Sequence, residues 1–464
     1  MHLPSKTFFL KITGIGIVTI HMMLFNLVFF NDTATAQDFT ENLWKHTDVI
    51  INSIQEPVFP DRDYPITDFG ADLDDALPAI RKAIDKANKK GGGRVIIPEG
   101  EWISRGPVHL KSNVNLHVSK GAILRFSEDS DDYLPQVITR WEGTEVFNYS
   151  PLIYAYMANN VAISGHGTIE GNGGTAFAGW RPQQRPAQAK LREMGAAGVP
   201  VHERFFGKGD YLRPAMIQFF GCSRVLIEDV TITESPQWVN HIIYSSQIIV
   251  RRITVNSHRL NNDGVALDSS TLALVEDNVF DTGDDSIVIK AGRDQDGWRV
   301  DRPSEDILIR NNYMQGHNAL AIGSEMSGGV RRVFMENNTL GNVRSAIYFK
   351  SNPDRGGYIE QVRVRNVRAL SAREFVRFQT DYHSHRGEFH PTLYRDFIIE
   401  NITANEAELG IEIQGLEALP IQNIKIRNMV VHKADKSKEL QHFENLIFEN
   451  VKINGRFIEP DQTD

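Results

Sequence analysis

Short runs of alternating apolar and polar residues recur along the chain, each closed by a polar residue and followed by another apolar pair. Val-Leu-Ile-Glu-Asp-Val-Thr-Ile at 225–232, Ile-Leu-Ile-Arg-Asn-Asn-Tyr-Met at 307–314 and Phe-Ile-Ile-Glu-Asn-Ile-Thr-Ala at 397–404 share the pattern. Ile-Lys-Ile-Arg-Asn-Met-Val-Val at 424–431 and Leu-Ile-Phe-Glu-Asn-Val-Lys-Ile at 446–453 repeat it. A period of two marks strands with one face buried. Aligned on this text, Asp229, Arg252, Asp277, Asn311, Asn337, Asn366, Asn401, Asn428 and Asn450 fall in one column, at intervals of 23, 25, 34, 26, 29, 35, 27 and 22 residues. Constant strand text at a variable interval describes a coil whose turns stack and whose loops differ. The expected fold is all-β, a single-stranded right-handed parallel β-helix. Asn suits the column because it tolerates the left-handed conformation at a sharp bend, and its amide can bond the next Asn up the stack. A β-sandwich with scattered surface Asn would not place it on six successive rungs.

Upstream the period changes. Asp74 and Asp75 precede Leu77, Ile80, Ile84 and Ala87, and Lys89-Lys90 and Gly91-Gly92-Gly93 follow. This predicts an amphipathic helix that caps the open end of the coil, within a cap region of about 64–100. Residues 173–210, rich in Gly, Pro, Gln and Arg, break the rhythm and read as a long projecting loop, where function tends to reside. The His- and Lys-rich stretch 432–442 reads as a solvated loop. Residues 37–464 are thus expected to form one domain, although a length of 464 would by itself suggest three at about 150 residues each.

The amino terminus speaks to compartment. Lys6 and Lys11 precede an apolar run at 12–30, and Ala34-Thr35-Ala36 before Gln37 has the small-x-small form of a signal-peptidase site. Residues 1–36 are expected to be a cleaved signal peptide; an uncleaved anchor is the alternative, since the run is just long enough to span a bilayer. After cleavage no membrane insertion is expected. Loss of Lys6, Lys11 and Asp32 takes the net charge from −9 to −10, a balance that argues against a nucleic-acid partner. Cys222 is the one cysteine, so internal disulfides and multi-cysteine zinc sites are excluded. An exported chain without disulfides suits a bacterial periplasmic or extracellular protein.

Candidate chemistry gathers on neighbouring turns. Asn261-Asn262-Asp263-Gly264 and Gly283-Asp284-Asp285-Ser286 place Asp263 and Asp284 21 residues apart, close to one turn of the coil. Stacked strands lie about 4.8 Å apart, so three carboxylates can converge on one face. Like charges that close push one pKa up, which supplies a general acid beside an ionised base. The next rung adds His317 in Gly316-His317-Asn318, and the one after it Tyr348 and Lys350. An adjacent Asp pair alone would equally suit a solvated turn or a calcium site. No cofactor or metal is called for.

These motifs together resemble the polygalacturonase family, glycoside hydrolase family 28. The likeness begins at Ile66-Thr-Asp-Phe-Gly-Ala-Asp72 and the Gly-Gly-Gly-Arg-Val cap. It continues through Thr139-Arg-Trp-Glu-Gly-Thr-Glu145 and Asn148-Tyr-Ser-Pro-Leu-Ile-Tyr154. Its signature is Asn-x-Asp, then Gly-Asp-Asp, then Gly-His, then a Lys rung. The resemblance implies hydrolysis of a pectic polysaccharide by single displacement with inversion. It implies Asp284 as general acid, Asp263 and Asp285 as the pair that holds and activates water, and His317 as a group that tunes the acid or binds substrate. Lys350 would face the sugar carboxylate, Asn261 would order the Asp263 turn, and Tyr382 in Gln379-Thr-Asp-Tyr would line a subsite.

Two departures bear on the substrate. The family reads Arg-x-Lys where this chain has Tyr348-Phe349-Lys350, and Gly-His-Gly where it has Gly-His-Asn. A carboxylate clamp is therefore altered, with Arg355 as a possible substitute and Lys290 and Arg293 as further cations. Lys-Ala-Gly-Arg-Asp-Gln-Asp-Gly at 290–297 resembles the extension of exo-acting members. The expected partner is an acidic plant or algal polysaccharide or its oligosaccharides. A rhamnogalacturonan-type hydrolase, a β-helix polysaccharide lyase and a non-catalytic glycan-binding β-helix are the alternatives.

Overall fold

The computed structural model describes residues 44–383 and 386–460. Three parallel stacks of strands wind around one apolar core. One passes through Asn159–Gly165, Ser223–Glu228, Ser246–Arg251, Thr271–Glu276, Ser304–Arg310 and Val330–Glu336. The second passes through Thr168–Glu170, Thr231–Thr233, Thr254–Ser257, Val279–Thr282 and Tyr313–Gly316. The third comprises Ile153–Tyr156, Ile217–Phe220, Asn240–Ile243, Val265–Asp268, Ile287–Lys290 and Leu320–Ile322. In later rungs the second and third merge into the long strand Arg368–Gln379, and all three run together in Leu393–Gln414. The parallel β-helix read from the repeats is the fold.

Inward positions stack like on like. Ile227, Val250, Val275, Ile309, Met335, Val364, Ile399 and Ile426 lie directly above one another and are buried. Each rung offers apolar faces above and below, so burial is shared between neighbours. The helix Leu77–Lys89 closes the first rung with Leu77, Ile80, Ile84 and Ala87 buried, as its spacing predicts.

Every residue of the predicted bend column has a left-handed backbone, from Asp229 at φ 63° to Asn450 at φ 57°. The amide ladder has two parts. In the exposed column Asn366 donates to Asn337 (2.9 Å), Asn428 to Asn401 (3.0 Å) and Asn450 to Asn428 (2.9 Å). The buried ladder lies one residue further on. There Asn278 Nδ2 donates to Asn312 Oδ1 (2.9 Å) and Asn312 Nδ2 to Asn338 Oδ1 (3.0 Å), while the Asn278 and Asn312 backbone amides donate to the same acceptors. These side chains satisfy backbone groups that the bend takes out of the sheet.

Two sequence expectations change. Residues 432–441 belong to the strand Ile421–Gln441, where Lys438 is buried and its Nζ donates to the carbonyls of Glu459 and Pro460. The 173–210 segment folds into the helices Trp180–Gln183 and Arg185–Ala196. Its spacing hid this because two prolines, at 182 and 186, sit at permitted first-turn positions. The leader 1–36 lies outside the described residues, among which no helix is long and apolar enough to cross a membrane.

The helical insertion docks on the antiparallel hairpin Val137–Trp141 and Thr144–Asn148 through a small core of Trp141, Val146, Ala187, Leu191, Phe206 and Leu212. The helix Asp294–Val300 joins it by a buried ion pair, Arg204 Nη1 to Asp296 Oδ1 at 2.8 Å, while Asp296 Oδ2 accepts the Glu145 amide at 2.9 Å. A second buried pair, Arg140 to Asp268 at 2.8 Å, fixes the hairpin to the third stack.

Removing the amide at the buried ladder should be costly and removing it at the exposed one should not. Asn312→Ala strands the Asn278 donors and is expected to destabilise the fold by about 2–4 kcal/mol. Asn366→Gly, which keeps the left-handed bend, should change stability by less than about 1 kcal/mol. Thermal unfolding midpoints of the two variants check this; equal shifts would contradict the distinction.

Candidate active site

The register of the third stack places the chemistry. Val265 pairs with Ile287, Ile287 with Leu320, and Leu320 with Ile347. Two residues earlier, the same register stacks Asp263 beside Asp285 and Asn318. One residue before those lie Asn262, Asp284, His317 and Arg344. Backbone bonds hold the approach in line: Gly264 N donates to Asp285 O (2.9 Å) and Ser286 N to Asn318 O (2.7 Å). At the other end of the strands, Asp268, Lys290, Gly323 and Lys350 form a third column. Gly323 has φ +103°, and a Cβ there would lie 1.9 Å from the Lys350 carbonyl oxygen. The absence of that carbon lets the Gly323 and Lys350 backbones approach this closely.

Asp263, Asp284, Asp285, Lys290 and Lys350 line one cavity of about 410 Å³. Lys350 Nζ donates to both Asp285 oxygens (3.0 and 2.8 Å), and Asn318 Nδ2 donates to Asp285 Oδ1 (2.8 Å). Burial by itself would raise the Asp285 pKa, but Lys350 and then Lys290 overcome it and hold the carboxyl below its ordinary value. Asp284 moves the other way: its enclosure raises it first and its neighbour Asp285 second. Asp263 is buried, its Oδ1 has no hydrogen-bond partner, and Lys290 stands 3.6 Å from Oδ2. Desolvation, then Asp284, push it well above the ordinary carboxylate range. One site thus sets a carboxyl with a lowered pKa beside two with raised ones, the separation that acid–base chemistry needs.

His317 lies outside the cavity lining, with Nδ1 3.8 Å from Asp284 Oδ1. Arg344 Nη1 is 3.2 Å from His317 Nε2. An arginine only donates, so Nε2 accepts and the ring hydrogen sits on Nδ1, facing the acid. At 3.8 Å from Asp284, Nδ1 makes no hydrogen bond in this structure.

Other expected site residues are distributed differently. Tyr382 lines the cavity, with Lys350 Nζ 5.5 Å from its ring centroid. Tyr348 is buried, its hydroxyl donates to Gln379, and its ring meets Lys350 at 5.1 Å and Arg377 at 4.9 Å. It supports Lys350 from outside the cavity. Arg355 does not reach the cleft: it is fully buried and paired with Asp294. Lys290 lines the cavity but is committed to Glu325 at 3.1 Å. Asn261 also lines it, held by Arg213 at 2.8 Å; the turn before Asp263 is ordered instead by Asn262, which accepts from Ser257 and the Arg259 amide and donates to two carbonyls.

Sequence reasoning missed Asn318, Glu325 and the arginines of the insertion. The Gly-His-Asn departure was the signal for Asn318, since a glycine there could not bond Asp285. Glu325 is buried between Lys290 and Arg293 (2.6 Å), and these cations outweigh the raising effect of burial to hold it well below the ordinary range. Arg181, Arg185 and Arg192 reach the cavity from the helical insertion, and the hairpin contributes Glu142.

Residues 136–451 match the family model for glycosyl hydrolases family 28. The chain is similar to a crystal structure of a hyperthermoactive exopolygalacturonase from Thermotoga maritima, at 40% identity and TM-score 0.86, covering 89% of this chain and 96% of that one. It is 28% identical to a probable polygalacturonase of Vitis vinifera over 363 residues, 74% of this chain and 68% of the relative. It is 28% identical to an exo-poly-alpha-D-galacturonosidase of Dickeya chrysanthemi over 388 residues, 75% of this chain and 64% of the relative.

The raised Asp263 pKa carries a stability consequence with a definite sign. A carboxyl raised on folding contributes stability that is present below its unfolded pKa and lost as pH rises through the folded value. Asp263→Asn removes that loss while Lys290 keeps Glu325. The variant should be more stable than the parent at pH 7, by on the order of 1 kcal/mol or more. The gain should vanish toward pH 4, near the ordinary carboxylate value of about 3.9. Unfolding midpoints at the two pH values test it; a variant less stable at both would contradict the reading.

Proposed function

The chain belongs to glycosyl hydrolases family 28, and from that membership we propose that it is an exported hydrolase releasing galacturonate from the ends of pectic chains. Hydrolysis of pectic glycosidic bonds follows from the family. The exo mode rests on one observation: the third stack, which carries the acids, is overlain by the hairpin, the helical insertion and the helix Asp294–Val300, tied together by Arg204–Asp296 and Arg140–Asp268. A cavity walled in this way favours a chain end over an internal segment.

In the proposed reaction Asp284 gives its proton to the glycosidic oxygen as the bond to the anomeric carbon breaks. A water attacks that carbon from the opposite face and loses its proton to Asp285. Asp263, raised and lacking a partner on Oδ1, orients the water. The step leaves Asp284 ionised and Asp285 protonated, and exchange with solvent resets both. A single displacement of this kind inverts the configuration. The Nδ1–H of His317 faces Asp284 and stabilises the carboxylate it becomes. Lys350 faces both Asp285 and the cavity. A substrate carboxylate that shares this cation weakens its hold on Asp285 and makes that group a better base while water is present.

Product profiling on defined oligogalacturonides and rhamnogalacturonan tests the reading. Monogalacturonate should be the first product, and a spread of oligomers would contradict the exo mode. An unsaturated product absorbing in the ultraviolet would indicate a lyase. Asp284→Asn should lower kcat by about 10²–10⁴-fold, the usual contribution of a general acid. Full activity in that variant would remove Asp284 from the role.

A further inference from the structure

The cavity is lined by six cations and five carboxylates, and pairing them leaves a remainder. Arg192 is held by Glu142 at 2.9 Å, Lys290 and Arg293 share Glu325, and Lys350 holds Asp285. Asp263, 3.6 Å from the Lys290 that also holds Glu325, and Asp284 are the remaining carboxyls, and both have raised pKa values. Arg181 and Arg185 form no ion pair among the described residues, and the Nε of Arg181 is buried with no hydrogen-bond partner. An unpaired buried guanidinium donor is costly unless a ligand completes it.

Packing fixes the backbone that carries Arg181, which is half-buried, while Arg185 is exposed on the helix that follows. Trp180, buried against Tyr149, Phe177 and Tyr211, anchors the turn before Arg181. Arg185, Gln188 and Arg192 follow at i, i+3 and i+7, one face of the helix Arg185–Ala196. Gln188 and Arg192 both bond Glu142 Oε2 (2.7 and 2.9 Å), which turns that face toward the cavity. Cations crowd one another here, since Arg293 depresses the Arg192 pKa after the larger effect of burial.

We infer that Arg181 and Arg185 form a carboxylate-binding site in the cavity wall, taking the uronate carboxylate of the terminal sugar. The inference deepens the exo reading and rests on it. Two planar guanidinium forks match a carboxylate in geometry as well as charge. The site is separate from Lys350, whose Nζ lies 2.8 Å from Asp285 Oδ2. It also explains how a chain of net charge −9 admits an acidic sugar without the arginine that Tyr348 replaces. A methyl ester, lacking the charge, would lose this contact.

The test compares trigalacturonate with the analogue methyl-esterified on its non-reducing terminal residue. It uses the full chain and the Arg181→Gln/Arg185→Gln variant. The parent should show a KM about 10- to 100-fold lower for the free acid, the range expected for a charge-assisted pair. The double variant should lose that preference through a raised KM on the acid, and Arg181→Lys/Arg185→Lys should restore part of it. Equal preference in parent and Gln variant would overturn the inference. Calorimetric binding of D-galacturonate against its methyl ester supplies a readout independent of hydrolysis. Arginine-dependent preference for the acid without hydrolysis would sustain the binding site and overturn the hydrolase reading. Hydrolysis with arginine-independent binding would do the reverse, and binding that ignores the carboxylate would remove the site.

Discussion

The backbone register between successive rungs is the constraint from which the site follows. Each strand of the third stack accepts its neighbour in fixed alignment, and the amides of Gly264 and Ser286 carry that alignment past the strand ends into the turns. Side chains 22 and 33 residues apart in sequence, Asp263, Asp285 and Asn318, are thereby set one strand spacing apart. No local segment could hold three carboxyls this close against their repulsion; the whole coil, with its stacked aliphatic core, supplies the rigidity. A slip of one residue in one rung would turn these groups inward and the aliphatic side chains out.

Charge is then distributed by burial. Asp285 receives Lys350 and Asn318, Glu325 receives Lys290 and Arg293, and Asp263 and Asp284 are left to favour the proton. Buried ion pairs of this kind contribute weakly to stability, because desolvation offsets their attraction. What they give here is position. Arg140–Asp268 and Arg204–Asp296 do the same for the wall, fastening the hairpin, the helical insertion and the helix Asp294–Val300 over the acids.

Much of this was legible in the chain because a repeat coil writes its geometry into its sequence. The column from Asp229 to Asn450 gave both the rungs and the left-handed bends, and it brought the Asp motifs and Lys350 to one face. The buried ladder of Asn278, Asn312 and Asn338 was visible as doubled polar residues but lay one position beyond the expected column. What was not legible lies where the repeat is interrupted. The helices at Trp180–Gln183 and Arg185–Ala196 depend on packing against a hairpin distant in sequence, so Arg181 and Arg185 could not be assigned to the cavity. Arg355 failed as a clamp for the same reason: its burial against Asp294 is a tertiary fact that a loop sequence does not encode. Tyr348, where the family resemblance implies an arginine, supports the lysine from outside the cavity.

The central claim is that Asp284 and the water-holding pair Asp263 and Asp285 act from opposite sides of one anomeric carbon. Proton NMR of the anomeric signals during early hydrolysis of trigalacturonate tests it most directly. The account predicts that the new reducing end appears first as the β anomer, opposite to the α bond cleaved, and equilibrates later. First appearance of the α anomer would contradict it.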